Sequence, residues 1–431
     1  MSKKQEVTRK FVEKGWVKVK EITILHSDMN CFYASVEMML NPKLRGKAVA
    51  VCGSTEDRHG IVLAKSELAK KSGVKTGMVT WEAERLCPGL IVVPPHYDQY
   101  LKYSKLAREI YYRYTDLVEP FGMDECWLDV SPSIGIFGPG DKIAEEIRNS
   151  VKEELGLTVS IGVSYNKIFA KLGSDMKKPD AITVIKESDM ESKVWTLPVS
   201  ELLYVGRATT AKLERHGIQT IGQLAALTPD ILKSWFGVNG ISLWHYANGT
   251  DTSRVMQKDF VSPVKSIGHG ITCTADLEND EEVKRVMLEL CQDIGHRLMV
   301  HNLTANGVQI TIKSNDLMYR QFQCQLGFPT QSPLEIAEAA YELFVSNYRW
   351  HNHVRSVTVC AIKLKDKNLD VQLDLFTDYE KRMRRETIDN TIEEIRGRFG
   401  ERAVFSASLM GDLKIPNHNA HKITMPKMMY K

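Results

Sequence analysis

The sequence ILHSDMNCFYASVEMML, residues 24–40, decides the fold, because it joins a strand pattern, an acidic residue and a helix pattern without a break. The apolar run that starts at Ile22 is typical of a buried strand, and the segment from Cys31 to Leu40 is typical of a helix. Asp28 lies where the first pattern gives way to the second. Because polar side chains at strand ends commonly build functional sites, we expect Asp28 to belong to one.

A second acidic pair, Asp124 and Glu125, precedes another strand-like run. Its distance from Asp28 along the sequence is too great for a local turn and suits two strands of one sheet separated by an inserted subdomain. Neighbouring residues of a regular strand point to opposite faces, so both acids can face Asp28 only from a bend. Pro120 and Gly122 supply the turn chemistry for such a bend. We therefore expect a hairpin whose bend carries Asp124 and Glu125.

Three carboxylates that converge on one point repel one another unless a cation joins them. Ligand sets made only of oxygen atoms select hard ions such as Mg2+. Two such ions about 3.5–4 Å apart, bridged by Asp28 and Asp124 with Glu125 on the catalytic ion, form the arrangement used for in-line phosphoryl transfer. The alternative is that each acid is an ordinary solvated turn residue.

The composition is that of a globular protein, with 43% hydrophobic and 26% charged residues in a chain of 431, and the length predicts about three domains. The net charge is only +3, but residues 1–20 hold seven Lys or Arg and two Glu, which permits a polyanionic partner. The eight cysteines contain no CxxC pair, so the sequence favours neither a zinc ribbon nor a disulfide framework. We expect a cytosolic protein with no signal peptide and no membrane span.

The sequence pattern changes several times along the chain. Residues 20–190 alternate strand-like and helix-like stretches, which predicts a mixed α/β domain with a hairpin at its centre. Residues 187–252 carry short helical stretches separated by glycines, and a polar segment at 251–265 is typical of a linker. Residues 266–365 predict an independent α+β module. The tail is predicted to add a charged helix at about 378–399 and a short strand at 403–409.

The two segments that carry the acids, Asp28–Glu37 and Met123–Val130, together resemble the paired active-site motifs of the Y family of DNA polymerases. The resemblance extends over roughly residues 21–410, and the separated motifs keep their order. Its further motifs are Gly46-Lys47, Gly73-Val74-Lys75-Thr76-Gly77, Gly162-Val163-Ser164-Tyr165-Asn166-Lys167 and Ala170-Lys171-Leu172.

The resemblance implies an α+β multidomain fold of the right-hand polymerase type, with a ferredoxin-like palm, small fingers, a helix-hairpin-helix thumb and an α+β little finger. The implied parts are a basic extension at 1–20, palm at 21–30 and 95–187, fingers at 31–94, thumb at 188–252, linker at 253–265, little finger at 266–365 and a C-terminal tail at 366–431.

Carried over by position, the family's metal-binding role falls on Asp28, Asp124 and Glu125, with the Met29 carbonyl as a further ligand and two Mg2+ ions as cofactor. The start of the fingers helix, at Cys31, Phe32 and Tyr33, would contact the nucleotide, and Tyr33 takes the place of the steric gate that collides with a ribose 2′-OH. The alternative for Tyr33 is a core aromatic residue on a helix.

For the triphosphate, the resemblance implies Lys178 and Lys70. Glu67 occupies a place where a phosphate-binding tyrosine is common in archaeal relatives, and we expect its acid group to turn outward. Lys178, with Lys171 and Lys177, also permits the ordinary interpretation of a solvated helix face.

For DNA, the resemblance implies that Gly206 and Arg207, at a hairpin of the thumb, grip a backbone phosphate without reading sequence. The alternative for Gly206 is a packing glycine between helices. Lys265 and Ser266 open the strand of the little finger that would follow the template phosphates.

The tail contains a pentapeptide that resembles the sliding-clamp motif of bacterial polymerases, and its residues are Gln372, Leu373, Asp374, Leu375 and Phe376. In the family, Leu375 and Phe376 would enter an apolar pocket of the clamp. The place of the peptide after the little finger resembles the UmuC-type branch. An edge strand over the same residues is the alternative.

The function that the resemblance implies is error-prone translesion synthesis, in which a DNA-directed DNA polymerase extends a primer 3′ end opposite damaged template, as part of DNA repair of the SOS type. Implied partners are primer-template DNA, a deoxynucleoside triphosphate, the sliding clamp and either a recombinase filament or an UmuD-like subunit, in a cytoplasmic, nucleoid-associated location. The alternatives are a nucleotidyl cyclase with a related palm and a catalytically silent relative that binds DNA and blocks a fork.

Overall fold

The computed structural model describes residues 22–369, 378–400 and 403–416. These residues divide into two units, one made of residues 22–52 and 62–262, the other of residues 53–61 and 263–416. The boundary after Ser262 falls inside the predicted linker at 253–265. The basic extension at 1–20 and the clamp-like peptide at 372–376 lie outside the described residues.

The first unit is built on strands that match the predicted α/β pattern. In chain order its strands are β1 (Ile24–Met29), β2 (Val49–Cys52), β3 (Val62–Lys65), β4 (Ile91–Val93), β5 (Val118–Pro120), β6 (Glu125–Asp129), β7 (Val159–Ser164) and β8 (Ile182–Val184). Its first helices are α1 (Phe32–Leu40), α2 (Glu67–Lys71), α3 (Thr80–Leu86), α4 (Tyr97–Tyr111), α5 (Ile134–Phe137), α6 (Gly140–Leu155) and α7 (Lys167–Met176).

The main sheet of this unit has the strand order β5-β6-β1-β7-β8. Strand β1 lies at its centre with every residue buried, and it pairs antiparallel with β6 on one side and β7 on the other. The register places Asp28 opposite Glu125 of β6 and opposite Ser160 of β7. The central strand therefore carries Asp28 directly to the acidic hairpin.

Alternate residues of β1 enter two different cores, as the period of a strand requires. Leu25 packs with the cluster formed by α4, α6 and the sheet, which includes Ile110 and Ile147. Ile24 packs on the other face with Trp127 and with apolar residues of α7. Both faces of β1 are covered, which explains why its sequence is nearly free of exposed polar residues.

Helix α7 approaches β7 closely at Gly162. An added Cβ at Gly162 would lie 1.9 Å from the carbonyl oxygen of Ala170 and 2.5 Å from the amide nitrogen of Ser174. These are backbone atoms that cannot turn aside. The absence of a side chain at Gly162 therefore sets how near α7 comes to the strand that pairs with β1.

A separate small sheet has the order β3-β2-β4, with β2 antiparallel to β3 and parallel to β4. Its apolar side chains form a core with α2 and α3, in which Val62, Ala69 and Ala83 are fully buried. Further along the chain the first unit holds four helices, α8 (Arg207–Arg215), α9 (Ile221–Ala225), α10 (Pro229–Phe236) and α11 (Val238–Ala247). They occupy the region where the sequence predicts short, glycine-punctuated helices.

The second unit contains an antiparallel sheet of strand order β11-β10-β12-β9 covered by two helices. Its elements are β9 (Ile267–Leu277), α12 (Asp280–Val300), β10 (Leu303–Ser314), β11 (Tyr319–Thr330), α13 (Pro333–Asn347), β12 (Val354–Ile362) and the short β13 (Lys365–Asp366), which pairs with β10. This order of strands and helices agrees with the α+β module predicted for residues 266–365.

The predicted charged helix of the tail is α14 (Tyr379–Phe399), and it buries none of its described side chains. Charged contacts hold it to the second unit, among them the pairing of Arg382 and Arg385 with Glu335 at 3.5 and 3.4 Å. The guanidinium carbon of Arg382 also lies 3.9 Å from the ring centre of Phe328.

The predicted strand at 403–409 is wrong. Over the described residues of this segment the chain is irregular and ends in a single 3-10 turn at Ala407–Leu409. Arg285 donates hydrogen bonds to the carbonyl oxygens of Ser408 and Met410, so a side chain supplies contacts that a strand partner would supply in a ladder. Among the helices of the described ranges, none has the length and apolar character needed to cross a membrane.

Replacing Gly162 by Ala is expected to destabilise the first unit by about 2 kcal/mol or more, because the new methyl group meets backbone atoms in a packed core. Urea unfolding measures the loss. Gly135→Ala on α5 is the matched control, because an added Cβ there meets no atom within 4 Å. Equal stability of Gly162→Ala and the wild type would contradict this account of the contact between α7 and β7.

Candidate active site

The acidic site forms where β1 meets the hairpin between β5 and β6. Asp28 is the fifth residue of β1, Asp124 lies in the bend before β6, and Glu125 is the first residue of β6. The bend is fixed to β1 by a hydrogen bond from the amide of Met29 to the carbonyl oxygen of Asp124, at 2.9 Å. The expectation of a bend holds for Asp124, whereas Glu125 faces Asp28 from the start of a strand.

Two lysine side chains lie among these acids. The Lys171 ammonium is 3.2 Å from Asp28, 2.9 Å from Glu125 and 3.1 Å from Asp175. The Lys178 ammonium is 2.7 Å from Asp28 and 2.9 Å from Asp175. The interpretation of Lys171 and Lys178 as a solvated helix face is therefore wrong, while Lys177 is exposed.

A buried histidine on the same strand completes this network. His26 Nε2 lies 3.2 Å from Glu125 Oε2, and its Nδ1 lies 2.9 Å from the hydroxyl of Ser174 on α7. Burial lowers the pKa of His26, which favours the neutral ring. Sequence reasoning missed His26, although its position two residues before Asp28 puts both side chains on one face of β1.

The surroundings of Asp124 and Glu125 shift the pKa values of these two adjacent acids in opposite directions. Burial raises the pKa of Asp124 to about 7, and the nearby charges of Glu125 and Asp28 add to the effect. Burial would also raise the pKa of Glu125, but the close contact with His26 and the charge of Lys171 outweigh it and lower that pKa to about 2. Glu125 is therefore charged at neutral pH, whereas Asp124 takes part in none of the ion pairs of the described residues.

Carboxylate oxygens are ligands of the kind that a hard divalent cation prefers. In the described ranges, however, no group of three or more His, Cys, Asp or Glu has its side chains gathered closely enough to hold an ion. The backbone brings the carboxylates to one place, and the ammonium groups of Lys171 and Lys178 stand where positive charge is needed. Asp124 keeps a raised pKa, because its burial and the charges of Glu125 and Asp28 outweigh the opposing charge of Lys171.

The start of α1 adjoins this site. Cys31 caps the helix in a left-handed conformation with φ of 48°, and its thiol donates a hydrogen bond to Glu67 at 3.0 Å. The expectation that Glu67 turns outward is wrong, because the thiol contact holds it beside Cys31, 3.9 Å from Lys70. The Phe32 side chain is buried in the core, so only its main chain is left to contact a nucleotide.

Tyr33 is half-buried beside the acidic bend. Its hydroxyl donates to the sulfur of Met123 at 3.5 Å, and its ring stacks on that of Tyr100 with centres 4.1 Å apart. Burial, followed by the charge of Asp124, raises the pKa of Tyr33 to about 12. The ring therefore packs against a core aromatic residue while its edge lies near the site.

The residues predicted to contact DNA are exposed. Gly206 is the N-cap of α8 and Arg207 its first residue. An added Cβ at Gly206 would meet no atom within 4 Å, so the alternative of a packing glycine is wrong. Lys265 and Ser266 lie just before β9 in the second unit.

Family models match three parts of the chain. The impB/mucB/samB family matches residues 27–175, its C-terminal domain matches residues 264–375, and the thumb domain of DNA polymerase-iota matches residues 201–251. DNA polymerase IV of Acetivibrio thermocellus is 50% identical over 389 residues, which cover 90% of this chain and 98% of that protein. DNA polymerase IV of Pelotomaculum thermopropionicum is 38% identical over 384 residues, 89% of this chain and 94% of that protein.

A solved structure, the Y-family DNA polymerase chimera Dbh-Dpo4(243-245)-Dbh, superposes with a TM-score of 0.70 over 79% of this chain and 98% of its own, at 23% identity. This match shows the shared right-hand fold. The fold and the matched relatives define a DNA-directed DNA polymerase of the translesion type. The chain belongs to the Y family of these enzymes, as the sequence predicts.

The nucleotidyl cyclase alternative fails, because the matches extend through the thumb model and the C-terminal domain model, beyond a lone palm. The relatives named above are DNA polymerases IV. Placement in a UmuC-type branch stays a prediction.

Asp124→Asn is expected to stabilise the protein at pH 8 in the presence of a chelator. The wild-type carboxyl is neutral at low pH in both folded and unfolded chains. Since its folded pKa of about 7 exceeds the ordinary value, stability falls as pH rises from about 4 to 7, and the penalty persists above that range. The gain in the variant should be about 1–3 kcal/mol at pH 8 and should vanish near pH 4.

Thermal melting at both pH values measures this difference. Glu145→Gln on α6 is the control, because that side chain is exposed and should change stability at neither pH. A variant that is less stable than the wild type at pH 8 would show that the charge of Asp124 is compensated without metal.

Proposed function

We propose that this polymerase holds two Mg2+ ions on Asp28, Asp124, Glu125 and the Met29 carbonyl, and adds deoxynucleotides to a primer 3′ end. The observation that carries the proposal is that the ladder between β1 and β6 sets Asp28 opposite Glu125 and ties the backbone of Asp124 to Met29, while the Lys171 ammonium bridges Asp28 and Glu125. When bound, the ions supply positive charge that lowers the pKa of the attacking 3′-OH and stabilises the α-phosphate and the leaving pyrophosphate.

The lysines would then serve the substrate. Lys178 pairs with Asp28 in the protein alone. When the triphosphate binds, the Lys178 ammonium would exchange this contact for one with a phosphate oxygen. Lys70, exposed at the end of α2, is a second cation for the phosphates. The backbone N–H groups of Cys31, Phe32 and Tyr33 lie at the start of α1, where a helix favours an anion.

Tyr33 is proposed as the steric gate. Its half-buried ring packs on Tyr100, which limits its movement. The ring would therefore collide with a ribose 2′-OH, whereas a deoxyribose lacks the colliding hydroxyl group. The interpretation of Tyr33 as a purely structural aromatic residue predicts no effect on sugar choice.

Contacts with DNA would be made mainly to phosphates, which suits an enzyme that copies many sequences. Gly206 and Arg207 offer free N–H groups and a cation at the start of α8, and Lys265 with Ser266 precede the first strand of the second unit. We propose the division into palm, fingers, thumb, linker and little finger on the boundaries predicted from the sequence.

The cellular setting is also a proposal. Error-prone synthesis across lesions fits a damage-tolerance response of the SOS type, carried out on the chromosome in a cytoplasmic, nucleoid-associated location. Support for a sliding-clamp partner comes from the peptide at 372–376. A recombinase filament or an UmuD-like subunit is a candidate accessory partner on the strength of the family resemblance alone.

Primer extension tests the site directly. Asp124→Ala with Glu125→Ala is expected to abolish extension of a primer on plain and abasic templates with Mg2+, a loss of at least about a thousandfold, because charge stabilisation of the transferring phosphoryl group disappears. The matched control is the adjacent acidic pair Glu145→Ala with Glu146→Ala on the surface of α6, which should extend like the wild type. Extension by the site variant at the wild-type rate would remove both acids from the catalytic role.

Substitution of Leu375 and Phe376 by Ala is expected to abolish stimulation by the bacterial sliding clamp, because both apolar anchors of the peptide are lost. Extension without the clamp should stay at the wild-type rate. Met383→Ala with Ile388→Ala is the control, because both residues are exposed on α14 and lie outside the peptide. Equal loss with and without the clamp would mean that the peptide is a structural strand.

A further inference from the structure

Glu37 is an ionisable residue placed inside the core of the first unit. Its side chain lies on α1, one turn beyond Tyr33, and the residue is 5% exposed. Carboxylates are rarely buried unless they are paired and hydrogen-bonded, so the position calls for specific partners.

Two residues bind the Glu37 carboxylate. The hydroxyl of Tyr100 donates a short hydrogen bond to Oε1, and His96 Nδ1 lies 3.0 and 3.1 Å from the two oxygens. Both partners belong to the start of α4, where His96 is the N-cap and Tyr100 lies in the first turns. Burial raises the pKa of Tyr100, and the neighbouring Glu37 raises it further, so the phenol stays a donor.

Tyr100 is the surface on which the proposed gate rests. Its fully buried ring is nearly parallel to that of Tyr33, with an angle of 8° between planes and 4.1 Å between centres. Tyr97 meets the two rings edge-on, at 5.9 Å from Tyr33 and 5.7 Å from Tyr100. A stacked pair alone resists sliding weakly, since offset arrangements of two rings differ little in energy.

The remaining contact of the Tyr33 hydroxyl is a weak hydrogen bond to the sulfur of Met123. The position of the Tyr33 ring is therefore set by its ring neighbours, of which Tyr100 is stacked on its face at 4.1 Å while Phe32 and Tyr97 lie at 5.6 and 5.9 Å. The Tyr100 hydroxyl is held by Glu37, and Glu37 lies on the same helix as Tyr33, one turn further along. Tyr33, Tyr100 and Glu37 are therefore linked in a closed circuit through the backbone of α1.

We propose that Glu37 is a positioning residue for sugar selection, because it holds the hydroxyl of Tyr100 and so fixes the ring of Tyr33 against the substrate. The inference rests on the proposed role of Tyr33 as steric gate. A gate excludes a hydroxyl group by distance, and a displacement of about 1 Å in a positioned group changes rates by up to about a hundredfold. Release of Tyr100 therefore opens space for a ribose 2′-OH.

Single-nucleotide incorporation with matched ribo- and deoxynucleoside triphosphates tests the inference. Tyr100→Phe removes the hydroxyl and keeps the ring, and Glu37→Leu removes the acceptor. In both variants kcat/KM for the ribonucleotide is expected to rise by about tenfold or more, while that for the deoxynucleotide does not rise. Glu37→Gln keeps an oxygen acceptor for Tyr100 and is expected to restore most of the discrimination.

Tyr97→Phe is the matched control, because Tyr97 touches the same rings but the described hydrogen bonds of the Glu37 carboxylate go to Tyr100 and His96. Its discrimination should equal that of the wild type. Tyr33→Ala with Tyr100→Phe should discriminate no worse than Tyr33→Ala alone, because Tyr100 acts through the gate.

The outcomes separate the inference from the proposal beneath it. If Tyr33→Ala leaves sugar selection unchanged, the gate role fails and this inference fails with it. If Tyr33→Ala admits ribonucleotides but Tyr100→Phe and Glu37→Leu do not, the gate stands and the positioning role is wrong. An equal fall of kcat/KM for both sugars in the variants, or the failure of both Tyr100→Phe and Glu37→Leu to fold, assigns Glu37 to core stability alone.

Discussion

The antiparallel ladder between β1 and β6 is the constraint on which the site depends, because it sets Asp28 opposite Glu125 and ties the bend of Asp124 to Met29. Backbone hydrogen bonds thus force three acidic residues together against their mutual repulsion. The side chains of two lysines compensate part of this negative charge. Lys171 bridges two of the acids, Lys178 pairs with the first, and Asp124 is left with a raised pKa. Under the function proposed above, Mg2+ would take over the compensation of these acids and leave the two lysines to the phosphates of the substrate.

The sequence was sufficient to predict that Asp28 meets the hairpin of Asp124 and Glu125, and to predict most of the fold around these acids. Apolar runs that end in acids reveal strands and their functional ends, and this signal found Asp28, Asp124 and Glu125. It did not find His26, although the period of β1 places that residue on the same face as Asp28. It also did not find the bridging geometry of Lys171, because that depends on how closely α7 packs against β7 at Gly162. Such a distance is a property of packing between elements, which a one-dimensional pattern does not encode.

The two local errors have a common physical origin. Glu67 was expected to avoid a phosphate site by turning to solvent, but the thiol of Cys31 in its left-handed cap supplied a donor. The segment at 403–409 was expected to form a strand, but Arg285 satisfied its carbonyl groups from the side. In each case a side chain distant in sequence provided the hydrogen bond that decided the local structure. Secondary-structure propensity depends only on the local sequence. A hydrogen bond from a residue distant in sequence can therefore produce a local structure that propensity does not predict.

The position of Glu37 follows from the same competition between burial and hydrogen bonding. A carboxylate in the core is costly unless donors meet it, and the donors available at the start of α4 are a tyrosine hydroxyl and an imidazole. Meeting that requirement fixes the rotation of Tyr100, and Tyr100 fixes the ring stacked on it. If Tyr33 is the steric gate, as proposed, the ring that meets the sugar is braced through Tyr100 by a buried carboxylate one helical turn away. Discrimination against ribose requires a ring that keeps its position, and the proposed role of Glu37 supplies that rigidity in an enzyme whose proposed DNA contacts are to phosphates.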